Sequence, residues 1–240
     1  MSAQMSTRAG SRKLYYHPLA SFCWKVLIAL YENDIAFQPI VIDLFDPASA
    51  AKLRAVWPMM KFPVLVDDER GHTIAESSVV IDYLDAHYPG PVRFVPADAD
   101  LAWQTRMWDR FLDAYMHEQM QKVVADALRP ADAKDPTGVK QARDQLRQSY
   151  DFLEERMAGR KWMVGDGFTL ADCAAAPALF YANLVEPFTA SHPGLTAYLA
   201  RLMLRPPFAR VLEEAEPSFH FFPLEPKPSR TVPQFTGRKE

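Results

Sequence analysis

The chain changes texture near Pro96. Upstream, short apolar runs alternate with amphipathic stretches. Leu14-Tyr15-Tyr16 reads as a strand that His17-Pro18 ends. Ser21 to Glu32 carries Val26, Leu27 and Leu30 at helical spacing and predicts a helix. Phe37 to Leu44 predicts a second strand, with Pro39 near its start. Pro47 to Val56 predicts a short helix opened by its proline. Phe62 to Val66 predicts a third strand, Asp67 to Gly71 a turn, and His72 to Ala75 the returning strand. Ser77 to His87 places Val80, Ile81 and Leu84 on one face and ends before Pro89-Gly90-Pro91. The order β-α-β-α-β-β-α describes a small mixed α/β layer.

Downstream of Pro96 the period is helical throughout. The pattern predicts a long helix over Asp98 to Leu128, a polar break from Pro130 to Gly138, and a second helix over Val139 to Met157. A very apolar helix follows over Thr169 to Leu184, then two short ones over Pro193 to Met203 and Pro207 to Glu214. The expected domains are residues 13–92 and an all-helical unit over residues 98–216. The stretch 1–12 is polar, small and expected to be loose. The tail, residues 217–240, is rich in proline and aromatics, and is expected either to wrap the surface or to stay flexible.

Composition narrows the function classes. The chain has 240 residues, 49% hydrophobic and 24% charged, which is globular composition. A net charge of −3 makes a general nucleic-acid binder a poor expectation. The two cysteines, Cys23 and Cys173, cannot form a disulfide framework and suit a reducing, cytoplasmic setting. The longest apolar run, Cys173 to Ala182, contains Pro177 and falls well short of the roughly 20 residues that span a membrane. His17, His72 and His87 are isolated, no histidine shows metal-ligand spacing, and no metal is expected.

Four segments then fall into a familiar order: SFCWKVLIAL (residues 21–30), KFPVL (61–65), IAESSVVIDYLDAHYP (74–89) and GDGFTLADCAAAP (165–177). Together they resemble the cytosolic glutathione transferase superfamily. The resemblance implies an α/β thioredoxin-like N-terminal domain and an all-α C-terminal domain. It also implies a homodimer acting in detoxification, with glutathione as co-substrate and a small hydrophobic electrophile as partner.

Each motif also has a physical reading. Glu76-Ser77 stands where a strand gives way to a helix, whose free N–H groups and dipole favour an anion while Glu76 offers a carboxylate to a cation. That pairing suits the zwitterionic γ-glutamyl end of glutathione. Ser77 or Ser78 could equally be a plain helix cap. A proline after Phe62 can adopt the cis bond and expose the backbone of Phe62, which the resemblance assigns to the cysteinyl backbone of glutathione. Lys61 is a candidate for the glycyl carboxylate, or a solvated surface lysine. Thr169 and Asp172 form a capping box, a folding device rather than a catalytic pair.

The thiol of glutathione must become a thiolate to attack an electrophile. Ala20 occupies the position where several classes of the superfamily carry their key residue. Ser21 is therefore the first candidate, with the role of N-cap beside it. Tyr16 and Cys23 are the alternatives, although Cys23 shares a helical face with Val26, Leu27 and Leu30. Trp108, Phe111, Leu112 and Tyr115 lie at i, i+3, i+4 and i+7. The resemblance makes Trp108 and Tyr115 lining of the co-substrate pocket, with Arg106 and His117 as polar additions, whereas periodicity alone makes them core. The leading expectation is a glutathione transferase. The alternatives are a thiol-disulfide reductase or peroxidase using Cys23, and a non-catalytic binding module on the same fold.

Overall fold

A computed structural model describes residues 11–237. Of the stretch 1–12 expected to be loose, residues 1–10 lie outside these, whereas Arg12 opens the first strand, opposite Asp67. The N-terminal domain runs β1 (Arg12–Tyr16), α1 (Ser21–Glu32), β2 (Gln38–Val41), α2 (Pro47–Val56), β3 (Val64–Asp67), β4 (His72–Ala75) and α3 (Ser77–His87). The strand order is β2-β1-β3-β4. β1 and β2 are parallel, with Lys13 opposite Gln38 and Tyr16 opposite Val41. β3 is antiparallel to both β1 and β4, with Leu14 opposite Leu65 and Leu65 opposite Ile74. The two-residue period of a strand divides the side chains between faces. Leu14, Leu65 and Ile74 join the main core with α1 and α3, whereas Val64 packs with Ile42 and Leu53 against α2.

Two strands are shorter than the pattern predicts. β2 ends at Val41 because the Asp43 N–H leaves the ladder for the Ser49 hydroxyl at 2.9 Å. β3 begins at Val64 because the Phe62–Pro63 peptide is cis and lies outside the ladder.

The C-terminal domain is helical: α4 (Ala99–Phe111), α5 (Glu118–Leu128), α6 (Pro136–Met157), α7 (Leu170–Val185), α8 (Pro193–Met203) and α9 (Pro206–Ala215). The single long helix expected over 98–128 runs unbroken, but Leu112–His117 between α4 and α5 is a π-helical segment. α6 starts three residues early because the Asp135 carboxylate accepts the Gly138 N–H at 2.8 Å and Pro136 occupies the first turn. The Asp172 carboxylate accepts from the Thr169 N–H at 2.9 Å and the Thr169 hydroxyl at 3.0 Å, closing the start of α7 as its motif predicts.

The tail wraps. Residues 216–221 form a 3₁₀ turn, Phe219 and Phe222 are buried, and the Thr236 N–H bonds the Thr189 carbonyl at 2.9 Å.

One core crosses both domains. Trp24 of α1 packs its ring 4.8 Å from Tyr181, 5.3 Å from Phe180 and 6.0 Å from Phe208. Glu32 of α1 pairs with Arg205 at the start of α9, and the Leu170 N–H bonds the Phe94 carbonyl at 2.8 Å. No helix among the described residues is long and apolar enough to cross a membrane.

Candidate functional site

The N-terminus of α3 is built to receive charge. Val80 is the first residue of α3 whose N–H reaches back into the turn, to the Glu76 carbonyl at 2.9 Å, so the amides before it are free of that ladder. Ser77 is buried at the first helical position. Glu76 precedes it with φ of +67°, a left-handed conformation that a non-glycine residue adopts only when the surrounding structure imposes it. This geometry sets the exposed Glu76 carboxylate beside the helix start. Phe62, with its cis bond to Pro63, stands next to it, and Lys61 is exposed at the same rim.

These residues line a cavity of about 730 Å³. Its opposite wall is the polar side of α4 and the π segment: Arg106, Asp109, Arg110 and Asp113. Beneath that wall lies a buried charge cluster. Lys25 of α1 is fully buried and places its Nζ 2.8 Å from both Asp109 Oδ1 and Asp113 Oδ1, and 3.1 Å from Ser78 Oγ. Burial alone would lower the Lys25 pKa, but the charges of Asp109 and Asp113 outweigh it and raise it. Burial would likewise raise Asp113, but its bond to His117 and the charge of Lys25 hold it below the usual carboxylate range. His117 is buried under the ring of Phe22, 4.5 Å between centroids, with Nδ1 3.3 Å from Asp113. Burial lowers its pKa, so the imidazole is neutral at pH 7.

A second cavity of about 550 Å³ lies on the other side of the β1–α1 loop. Its walls are mainly apolar, with Val41, Phe45, Met120, Val124, Leu128 and Phe222 among them, together with Asp43, Gln121 and Ser218, and with His17 and Ser21 at the loop. Ala20 borders both cavities.

The predicted residues therefore separate into groups. Lys61, Phe62, Pro63, Glu76 and Ser77 converge on the first cavity. Ser21 lines the second, but its hydroxyl is buried, unpartnered and out of reach of water, and Ala20 rather than Ser21 is the N-cap. An atom no water touches cannot meet a larger sulfur without rearrangement. Tyr16 is half-buried and lines neither cavity, and burial raises its pKa above the ordinary phenol value. Cys23 is fully buried, and burial pushes its thiol up to about 12, so it is a core residue and not an available nucleophile.

The aromatic stripe is a correction. Trp108 is 5% exposed, stacks on Phe152 at 5.5 Å and lies under the Arg156 guanidinium. Tyr115 is 48% exposed and stacks on Phe111 at 5.0 Å. Neither lines either cavity, because the apolar period marks the face that packs on α6 and leaves the polar face for the site. Of the polar additions, Arg106 lines the first cavity, whereas His117 lies beneath it. The pattern also missed Lys25, Asp109 and Asp113. The signal was present as a lysine inside an apolar helix and as carboxylates four residues apart. It missed the second cavity's walls, Met120, Val124, Leu128 and the tail phenylalanines, which meet only in the folded chain.

A mixed four-stranded sheet with a helix start facing a cis-proline turn, joined to a helical domain, defines the glutathione-transferase fold. The chain belongs to the glutathione S-transferase superfamily: residues 14–92 match the model of the glutathione S-transferase N-terminal domain and residues 111–206 that of its C-terminal domain. It is 29% identical over 228 residues to glutathione S-transferase 3 of Zea mays, covering 92% of this chain and 98% of that one. It is 27% identical over 172 residues to a probable maleylacetoacetate isomerase of Caenorhabditis elegans, covering 71% and 78%. It superposes with a TM-score of 0.74 and 25% identity on a glutathione S-transferase of Methylobacterium radiotolerans in complex with glutathione sulfonate, covering 83% and 93%.

Proposed function

We propose that the protein is a glutathione transferase that conjugates glutathione to a small apolar electrophile. The observation that carries this reading is the meeting of two cavities at Ala20, one with charged side chains and the free amides of α3 among apolar residues such as Phe22, Trp57 and Met60, the other mainly apolar. In the first, the γ-glutamyl carboxylate lies at the N-terminus of α3 with Ser77, and its ammonium pairs with Glu76. The cysteinyl backbone runs along Phe62 as an added strand, and the glycyl carboxylate reaches Lys61. The sulfur then points toward the β1–α1 loop, and the electrophile occupies the second cavity. The complex of the Methylobacterium relative with glutathione sulfonate supports glutathione as the ligand. The burial of Cys23 favours conjugation over a thiol-disulfide reaction at that residue. The exposed Trp103, Met107, Tyr115 and Phe152 on α4, the π segment and α6 form an apolar surface that a second copy covers in a homodimer.

Calorimetric titration with reduced glutathione tests the reading. Saturable binding with proton release is expected, and Glu76→Ala weakens it about tenfold, the worth of one exposed charged hydrogen bond. Absence of binding at millimolar glutathione overturns the proposal.

A further inference from the structure

With alanine at position 20, a buried serine at 21 and a buried thiol at 23, the β1–α1 loop offers one other polar side chain to a sulfur there: His17. Its ring lies near-parallel to Phe62, 6.0 Å between centroids and 18° between planes, and lines the second cavity. It therefore stands between the residue that holds the cysteinyl backbone and the place where the electrophile sits.

The structure fixes what this ring can do. The Leu19 N–H donates to His17 Nδ1 at 3.1 Å, so Nδ1 carries no proton and the neutral ring carries its hydrogen on Nε2. Protonating Nδ1 would set two N–H groups against each other, so this amide opposes the imidazolium. Burial lowers the pKa as well, against the opposing charge of Asp43 on the same cavity wall. Among the described residues nothing hydrogen-bonds Nε2.

The mount is rigid. The His17 carbonyl accepts the Ala20 N–H at 3.0 Å, the Pro18 carbonyl accepts Trp24 Nε1–H at 2.6 Å, and the Leu19 carbonyl accepts the Tyr181 hydroxyl at 2.9 Å. Each carbonyl from 17 to 19 is held, two of them by fully or almost fully buried aromatics. A donor on a loop held by fixed groups stabilises a charge with little reorganisation when the charge forms.

We propose that His17 is a catalytic residue whose Nε2–H donates the hydrogen bond that holds the glutathione sulfur as a thiolate. This rests on the glutathione reading above. The thiol proton passes to solvent on binding, because Nδ1 is occupied and His17 acts as donor and not as base. The sulfur electron pair then forms the C–S bond, and with an activated aryl halide the halide leaves with the bonding pair. Neutral imidazole differs from the Tyr16 hydroxyl by lining the cavity, and from the Ser21 hydroxyl, which no solvent reaches, by belonging to a ring that is only half-buried.

The test compares wild type, His17→Ala and His17→Gln, whose amide N–H reaches toward the Nε2 position. The ultraviolet absorbance of bound thiolate is followed against pH, with turnover of an activated aryl halide. In His17→Ala the midpoint of thiol ionisation rises by about one to two pH units, the worth of one hydrogen bond to a charged group. Its kcat at neutral pH falls about 10- to 100-fold, while calorimetry gives a glutathione Kd within about threefold of wild type, as expected for a contact made mainly to the thiolate. His17→Gln recovers part of both losses. An unchanged midpoint and kcat in His17→Ala overturns the assignment, and so does a His17→Gln variant no better than His17→Ala. If wild type binds no glutathione, the glutathione reading fails and His17 falls with it. If wild type binds and ionises glutathione and His17→Ala does the same, only His17 is overturned.

Discussion

A single buried imidazole carries a pH signature. His117 is neutral in the fold because burial lowers its pKa, whereas in the unfolded chain it titrates near its ordinary value of about 6.5. The unfolded state then binds the extra proton, so stability is lost as pH falls through about 6.5 toward the lower folded value. The charged groups facing it are Asp113 and Asp109 on the π segment and α4, and Lys25 on α1. Asp113 acts in a separate window: its carboxyl is depressed, so its contribution is present above about pH 4 and fades below. Urea unfolding at about pH 7 and about pH 5 therefore shows a loss of stability, to which His117 contributes a slope of up to about 1.4 kcal/mol per pH unit; His117→Gln reduces the slope, and the part that is left includes His17, whose pKa burial also lowers. An equal slope in the variant excludes His117 as its source. The neighbouring Cys23 shows how far residue identity misleads without depth. Its place on the face of Val26, Leu27 and Leu30 already marks it as core in the sequence, and the packing of α1 buries it fully.

At the scale of an element, α7 depends on one carboxylate. Asp172 is fully buried and accepts from Thr169 twice, from the Met163 N–H at 2.9 Å and from the Tyr198 hydroxyl at 2.5 Å. Asp172→Ala strands all four donors and is expected to cost about 3 kcal/mol or more. Thr169→Ala removes one of them and costs about 1 kcal/mol. Chemical denaturation separates the two, and equal costs would contradict the assignment. This element was legible from residues alone, because a capping box is local. So were α2, α3 and α8, whose boundaries are set by prolines, caps and a sharp turn within a few residues. The site-facing side of α4 was not legible. An apolar period reports where helices touch each other, and Trp108 and Phe111 obey it by packing toward Phe152. Arg106, Asp109 and Asp113 lie on the side that period leaves unmarked. The meeting of Phe62 and Glu76 at one cavity was readable, since each lies in a local motif. The burial of Ser21 and Cys23 was less so, since it depends on how the β1–α1 loop and α1 pack.

For the whole molecule, the tail closes what the two domains begin. Phe222 is 4% exposed, packs tilted against Tyr181 with 5.8 Å between ring centroids, and lines the second cavity. Phe222→Ala is expected to cost about 3 kcal/mol and to raise KM for the electrophile, while leaving glutathione affinity near wild type. Unfolding curves and steady-state kinetics read both effects. A variant that loses stability with unchanged KM would make the tail a lid for the core alone. The core itself runs from Leu14 to Phe222 without a seam, so a single unfolding transition is expected of the chain.

The Tyr181 hydroxyl has a longer reach than its burial suggests. It belongs to the helical domain, meets no part of the first cavity, and fastens the Leu19 carbonyl beside the imidazole of His17. Exchanging it for phenylalanine deletes one oxygen far from any peptide ligand, yet frees one of three struts under the loop. Under the role proposed for His17, Tyr181 thus bears on the loop that carries the imidazole without itself lining the first cavity.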